Sequence, residues 1–359
     1  MALVPYIPQH RPQHTGPLAR VVAWLQRQLL WIMLIAYALA AGLPGPGAAV
    51  RALTLGRLGG VDFPLQAGLL ALVVFNAGLT ARAERLPALL RRPGPLLLGI
   101  AVNALLPTLL LAVASVGASG WHSEREAQSL LVGLALIGAM PVAAGATVFS
   151  QGSEGNATLT LGLVIGSTLL SPLTIPLGLH LGGFLTTGDY AEDLHEAASS
   201  AGDLFAVLAV VLPCLLGLLS GQLLRRFGPG ALHRSLPGIR LANLAVVVLL
   251  SYTNACGALR PVIQHPDPDF LALVALAAAL MCGVSFLAGW VLAGRLRLGR
   301  ADAIAVTYAS GMNNSSASAV LAATRMPDHP LVLLPILAYS LLQKILAGTA
   351  ARLLSPPRR

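Results

Sequence analysis

The sequence predicts an all-α, polytopic membrane protein of ten transmembrane helices arranged as two inverted five-helix repeats. Three observations predict it. Of 359 residues only 10% are charged and 56% are hydrophobic, whereas soluble domains carry about 25% charged residues. The apolar residues gather into ten runs separated by short polar or arginine-bearing breaks, and a bilayer-spanning helix needs about 20 such residues. The fourth run of each half is interrupted at a similar place. A soluble enzyme and a single-span anchor are both excluded.

Taken in order, residues 1–26 carry Pro5, Pro8, Pro12 and Pro17 and read as a cytoplasmic N-terminal arm. The first repeat, 27–185, holds apolar segments at 29–43, 63–80, 96–116, 130–148 and 156–180. An acidic stretch, 186–203, with Asp189, Glu192, Asp193, Glu196 and Asp203, reads as an extracytoplasmic linker. The second repeat, 204–353, holds segments at 204–224, 241–258, 271–292, 301–323 and 331–346, and 354–359 form a cytoplasmic tail. An odd number of spans per half turns the second half upside down relative to the first, a transporter signature.

Orientation follows from the basic residues. With ten spans, seventeen arginines fall on the side of the termini and five on the other, which places both termini in the cytoplasm and the chain in the cytoplasmic (inner) membrane. The net charge of +9 therefore points to anionic membrane lipid as a partner, not to nucleic acid. No obligate protein partner is evident. Cys214, Cys256 and Cys282 have no paired spacing and read as packing residues.

The two interruptions carry the chemistry. In the fourth segment Pro141 removes a backbone donor and Gly145 adds freedom, so the helix should kink or unwind there. In the ninth, Gly311 is followed by Asn313, Asn314, Ser315 and Ser316. Irregular backbone at membrane depth is tolerated only where it is buried in protein or lines a wet cavity. There, helix N-termini favour anionic groups, and freed carbonyls and side-chain oxygens suit a small cation. Asn313, Asn314, Ser315 and Gly311, with Ala144, Gly145 and Thr147 of the fourth segment, are the candidate substrate site. Asn76 and Asn254 either face that cavity or bond helix to helix. Lys344 either supplies a positive charge near the core or snorkels to the cytoplasmic edge. Thr160, Ser167, Thr168 and Ser171 read as bonded to their own backbone, and Tyr339 and Gln343 share a helix face.

At these residues a family resemblance emerges. The strings FNAGLTARAERL, RRPGPLLLGIAVNALLPTLLLA, MPVAAGATVFSQGSEGNATLTLGLVIGSTLLSPL and SGMNNSSASAVLAA, in this order and spacing, resemble the bile acid:sodium symporter family. The resemblance spans nearly all of the chain from the first apolar segment onward. It implies a panel domain of the first, second, sixth and seventh helices, and a core domain of the rest in which the broken fourth and ninth helices cross. It also implies sodium as coupling ion. Matched residue by residue, the family's Ser-Asn pair falls on Ala146 and Thr147, its fifth-helix hydroxyls on Thr160 and Val164, its acidic ligand on Ala309, and its Gly-Met-Gln glutamine on Asn313. A third-helix glutamine falls near Val102 or Asn103. The implied sodium ligands are thus Thr147, Thr160, Asn313 and Asn103 with the backbone carbonyls of Ser310 and Met312, without the carboxylate, so sodium coupling is expected to be weakened.

The expected function is secondary active transport of organic anions, bile-acid-like or small carboxylates, by alternating access. The alternative is a sodium-independent or proton-coupled transporter or antiporter of the same broken-helix architecture. A proton-coupled one calls for a titratable carboxylate inside the membrane, whereas all 14 acidic residues fall in loops or near span ends. No HExxH, GxSxG or phosphate-loop pattern occurs, so an enzyme is not expected. No cofactor other than sodium is implied.

Overall fold

A computed structural model describes residues 16–58, 61–81, 89, 91, 93–201, 204–264 and 266–354. Each of the ten apolar segments is occupied by a helix or a helix pair. The first half contains α1 (Pro17–Arg27), α2 (Leu29–Gly42), α3 (Pro44–Ala52), α4 (Leu65–Thr80), α5 (Gly94–Ala118), α6 (Glu124–Ala139), α7 (Ala146–Gly152) and α8 (Ala157–Gly183). After α9 (Asp189–Ala201), the second contains α10 (Leu204–Phe227), α11 (Pro229–Gln264), α12 (Pro268–Arg295), α13 (Arg300–Gly311), α14 (Ser315–Arg325) and α15 (Leu333–Leu354).

Among the described residues, five stretches are long and apolar enough to cross a membrane: α5, α8, 234–256 within α11, α12, and 330–354, which includes α15. The chain is a polytopic helical membrane protein. Outward-facing Leu97, Leu105, Leu109 and Val113 on α5 are all more than half exposed, as a lipid-facing surface requires. Polar side chains start the helices where the sequence supplies them: Ser123 caps α6, Asn156 caps α8 and Asp267 caps α12, each accepting from a backbone N–H of the first turn.

The structure differs from the sequence reading in three local respects. An antiparallel hairpin of β1 (Thr54–Leu58) and β2 (Val61–Pro64) precedes α4, where Gly56 takes a φ of +149° that glycine adopts without strain. Residues 17–26 of the expected arm form α1, in which Leu18, Val21, Val22 and Leu25 recur at helical spacing once the prolines end. The acidic stretch is helical from Asp189 to Ala201 because Leu194, Ala197 and Ala198 fall on one face and are fully buried. Residues 1–15, 82–88, 90, 92, 202–203 and 355–359, which include most of the expected N-terminal arm, most of the 82–92 basic loop and the C-terminal tail, lie outside the described residues.

Packing divides the helices. α6 is buried along its length from Ala127 to Ala139, and α13 from Ala303 to Gly311, so the first halves of the two interrupted elements run through the centre of the molecule. α8, α12 and α15 complete this core. To one side α4 packs tightly on α10. A Cβ at Gly217 or Gly221 would run into the backbone carbonyls of Phe75 or Leu79. This small-xxx-small spacing is what lets two helices approach when water supplies no driving force. Val246 and Leu250 of α11 meet Val320 of α14, joining this side to the core.

Candidate functional site

The fourth segment opens between Ala139 and Ala146, the ninth between Gly311 and Ser315. The two openings satisfy each other. Val142 and Asn313 form an antiparallel bridge, with Ala143 N–H donating to Met312 O at 2.7 Å and Asn314 N–H to Pro141 O at 2.9 Å. Pro141 has no N–H to continue α6. The amide of Val142 turns to Ser167 Oγ on α8, at 3.1 Å, and the Gly311 carbonyl accepts from Tyr339 Oη at 3.1 Å. Backbone groups that would be intolerable against lipid are therefore paired. Gly311 also sits where a Cβ would enter the Phe286 ring, so the residue type follows from the close approach of α12.

Asn313 is the hub. Its Nδ2 donates to Ile137 O at 2.9 Å and its Oδ1 accepts from Asn103 Nδ2 of α5 at 2.9 Å. All three groups are buried. Beside them, Asn103, Met140, Ser167 and Thr174 line a cavity of about 10 Å³, the scale of one water molecule. Asn314 is only half-buried and caps α14, its Oδ1 accepting from Ala317 N–H at 3.2 Å. Ser315 accepts from Gln343 Nε2 at 3.0 Å, and Gln343 Oε1 is buried with no partner among the described residues.

On the facing side, Ala144 and Thr147 are half-buried and Gly145 is exposed, with Thr147 Oγ1 donating to Ala144 O at 2.7 Å. Of the implied sodium ligands, Asn103, Met312 and Asn313 are joined at the crossing. The Ser310 hydroxyl donates to Val306 O at 2.8 Å within its own helix, which leaves the Ser310 carbonyl as the oxygen it was expected to offer. Thr160 lies in a separate pair with Ser150, oxygen to oxygen 2.8 Å, and donates to Asn156 O at 3.0 Å. Ala146, Val164 and Ala309 are buried and offer no side-chain oxygen. The side-chain donor set here is therefore neutral. Thr160, Ser167, Thr168 and Ser171 each donate to a carbonyl three or four residues back, as the sequence suggests.

Asn76 and Asn254 bond helix to helix. Asn76 Nδ2 donates to Asn243 Oδ1 at 2.8 Å, and Gln66 Nε2 donates to Asn254 Oδ1 at 3.0 Å and to Thr253 Oγ1 at 3.1 Å. This polar seam joins α4 to α11, and Gln66 and Asn243 were not singled out from sequence although both are amides in apolar runs. Lys344 Nζ donates to Ser340 O at 2.8 Å and to Ser340 Oγ at 3.1 Å. It is half-buried on α15, on the flank where Ser340 faces the Tyr37 hydroxyl of α2. Tyr339 and Gln343, sharing a face, both reach the break of the ninth segment.

Two interrupted helices paired at the centre of a helical membrane protein are an arrangement that secondary transporters use. The sequence profile of the Sodium Bile acid symporter family matches residues 67–264, and the chain belongs to that family. Two Bacillus subtilis (strain 168) proteins are similar to it. One, named "Uncharacterized protein YbaS", is 26% identical over 279 residues, covering 77% of this chain and 84% of the relative. The other, "Uncharacterized sodium-dependent transporter YocS", is 26% identical over 273 residues, covering 76% and 77%.

Proposed function

We propose that the protein is a secondary active transporter of organic anions, bile-acid-like or small carboxylates. Ten spans in two inverted repeats would let the core carry substrate past a panel of α2, α4, α10 and α11, with both termini in the cytoplasm. The observation that carries this reading is the antiparallel bridge between Val142 and Asn313. Two openings that meet head-on in opposite directions are what an in-plane two-fold relation between halves produces. The substrate carboxylate is received at the half-buried Asn314 and the N-terminus of α14, where amide donors and the helix dipole favour an anion.

Sodium coupling is weak or absent in this reading. A sodium ion at the crossing would have only neutral oxygens, because Ala309 stands at the acidic position, and the Met312 carbonyl already accepts from Ala143. Lys344 then supplies the fixed positive charge on the core flank, within the membrane and without a carboxylate on the facing stretches of α2 and α11. The test is uptake into proteoliposomes in sodium against choline, for the parent and Lys344→Met. Equal parental uptake in the two salts and a strongly reduced Lys344→Met rate are expected. Strong sodium stimulation of the parent rejects the uncoupled reading, and an unaffected Lys344→Met rejects the lysine's role.

A further inference from the structure

Between α1, α2 and α11 the surface opens into a groove of about 500 Å³. Leu25 of α1, Ile32 and Leu39 of α2, and Leu244, Val248 and Leu249 of α11 form walls that are almost wholly apolar. Along α11 the lining runs from Leu241 to Tyr252, about 16 Å at 1.5 Å per residue. That is the depth of one leaflet of a hydrocarbon core roughly 30 Å thick. The far end is tied shut where Tyr252 Oη donates to Leu43 O at 2.6 Å.

The near end has the opposite chemistry. α1 turns away from α2 at 68° and leaves Val21 and Trp24 exposed at 49% and 60%, the habit of an amphipathic helix lying in the membrane interface. Arg20 on α1 and Arg234 and Arg240 just before the groove lining on α11 are exposed. No acidic residue occurs in α1, α2 or α11. A groove one leaflet deep, dry along its length and basic at its interfacial end, matches one ligand chemistry.

We infer that this groove binds an anionic phospholipid, one acyl chain along Leu241 to Tyr252 and the phosphate at Arg20 and Arg240. Two other occupants fit less well. A second copy of the chain would bring an identical basic rim against this one, a like-charge contact. Residues 1–15 contain Arg11, His10 and His14 but no acidic side chain to meet the arginines.

The test is native mass spectrometry of the full-length, delipidated protein titrated with phosphatidylglycerol or phosphatidylcholine. Phosphatidylglycerol should bind more tightly. Arg20→Gln and Arg240→Gln should each weaken it about fivefold and leave phosphatidylcholine unchanged. Ala245→Trp fills the groove from an exposed position, so the fold survives, and should remove both lipids from the site. Equal affinity for the two lipids, or unchanged binding to Ala245→Trp, overturns the inference. So does tighter lipid binding after deletion of residues 2–15, which would make that segment the occupant, or a dimer that Ala245→Trp splits.

Discussion

Replacing Asn313 with leucine tests whether the hub of the crossing is held as its hydrogen bonds imply. The substitution removes the bonds to Ile137 O and from Asn103 Nδ2, both 2.9 Å. Interhelical bonds of this kind contribute about 0.6 kcal/mol on average and up to about 1.7. The Ile137 carbonyl keeps Met140 N–H at 3.2 Å and is not stranded, but the buried Asn103 amide is, at about 1–3 kcal/mol. Asn313→Leu should therefore lose about 2–4 kcal/mol. Asn103→Leu alone should lose less, because Asn313 Nδ2 retains Ile137. In the double variant no donor is left stranded, so its loss should fall short of the sum of the singles by about 1 kcal/mol. Reversible unfolding in mixed micelles, followed by circular dichroism, measures all four proteins. Additivity within about 0.3 kcal/mol would refute the coupling of α5 to the ninth segment through this pair.

Two further outcomes follow from other parts of the fold. Gly311→Leu should abolish folded protein, because its side chain must occupy the Phe286 ring; Phe286→Ala in the same chain should restore part of the monodisperse yield, and normal yield from the single variant would contradict the packing. On α9, burial pushes the Asp193 carboxyl above its ordinary range, opposed by His329 at 3.4 Å. A raised folded pKa favours the protonated form, so this contribution to stability is full below about pH 3.9 and is lost as pH rises through the raised value. The parent's unfolding midpoint should accordingly fall relative to Asp193→Asn as pH rises from about 3.5 to 7, and a constant difference would show that the carboxyl is not desolvated as described.

That helices occupy the ten apolar segments was legible because a long apolar run is a property carried by consecutive residues, and among the described residues five of these helices are long and apolar enough to cross a membrane. The interruptions were legible for the same local reason: Pro141 cannot donate, and Gly311 with four polar residues after it cannot face lipid. What each opening pairs with was not. Asn103 and Asn313 are 210 residues apart, and nothing in either run says that one amide receives the other. The seam of Gln66, Asn76, Asn243 and Asn254 was half seen, since two of its amides were noted as polar and their partners on the facing helices were not. α9 escaped because its acidic surface masks the alignment of Leu194, Ala197 and Ala198. α1 escaped because the prolines before it set the character of the whole arm. The hairpin before α4 depends on pairing across a turn, and its short strands carry no alternation strong enough to read.

In the proposed function, substrate is received where the two broken helices meet, at Asn314. Asn314→Leu removes a cap worth about 1 kcal/mol from a half-buried position, so the variant should purify folded. Uptake of radiolabelled cholate and pyruvate into proteoliposomes, parent against variant at matched protein, measures this directly. The parent should accumulate at least one of these anions and Asn314→Leu neither. Undiminished uptake by the folded variant, or no uptake of either anion by the parent, would contradict the proposal.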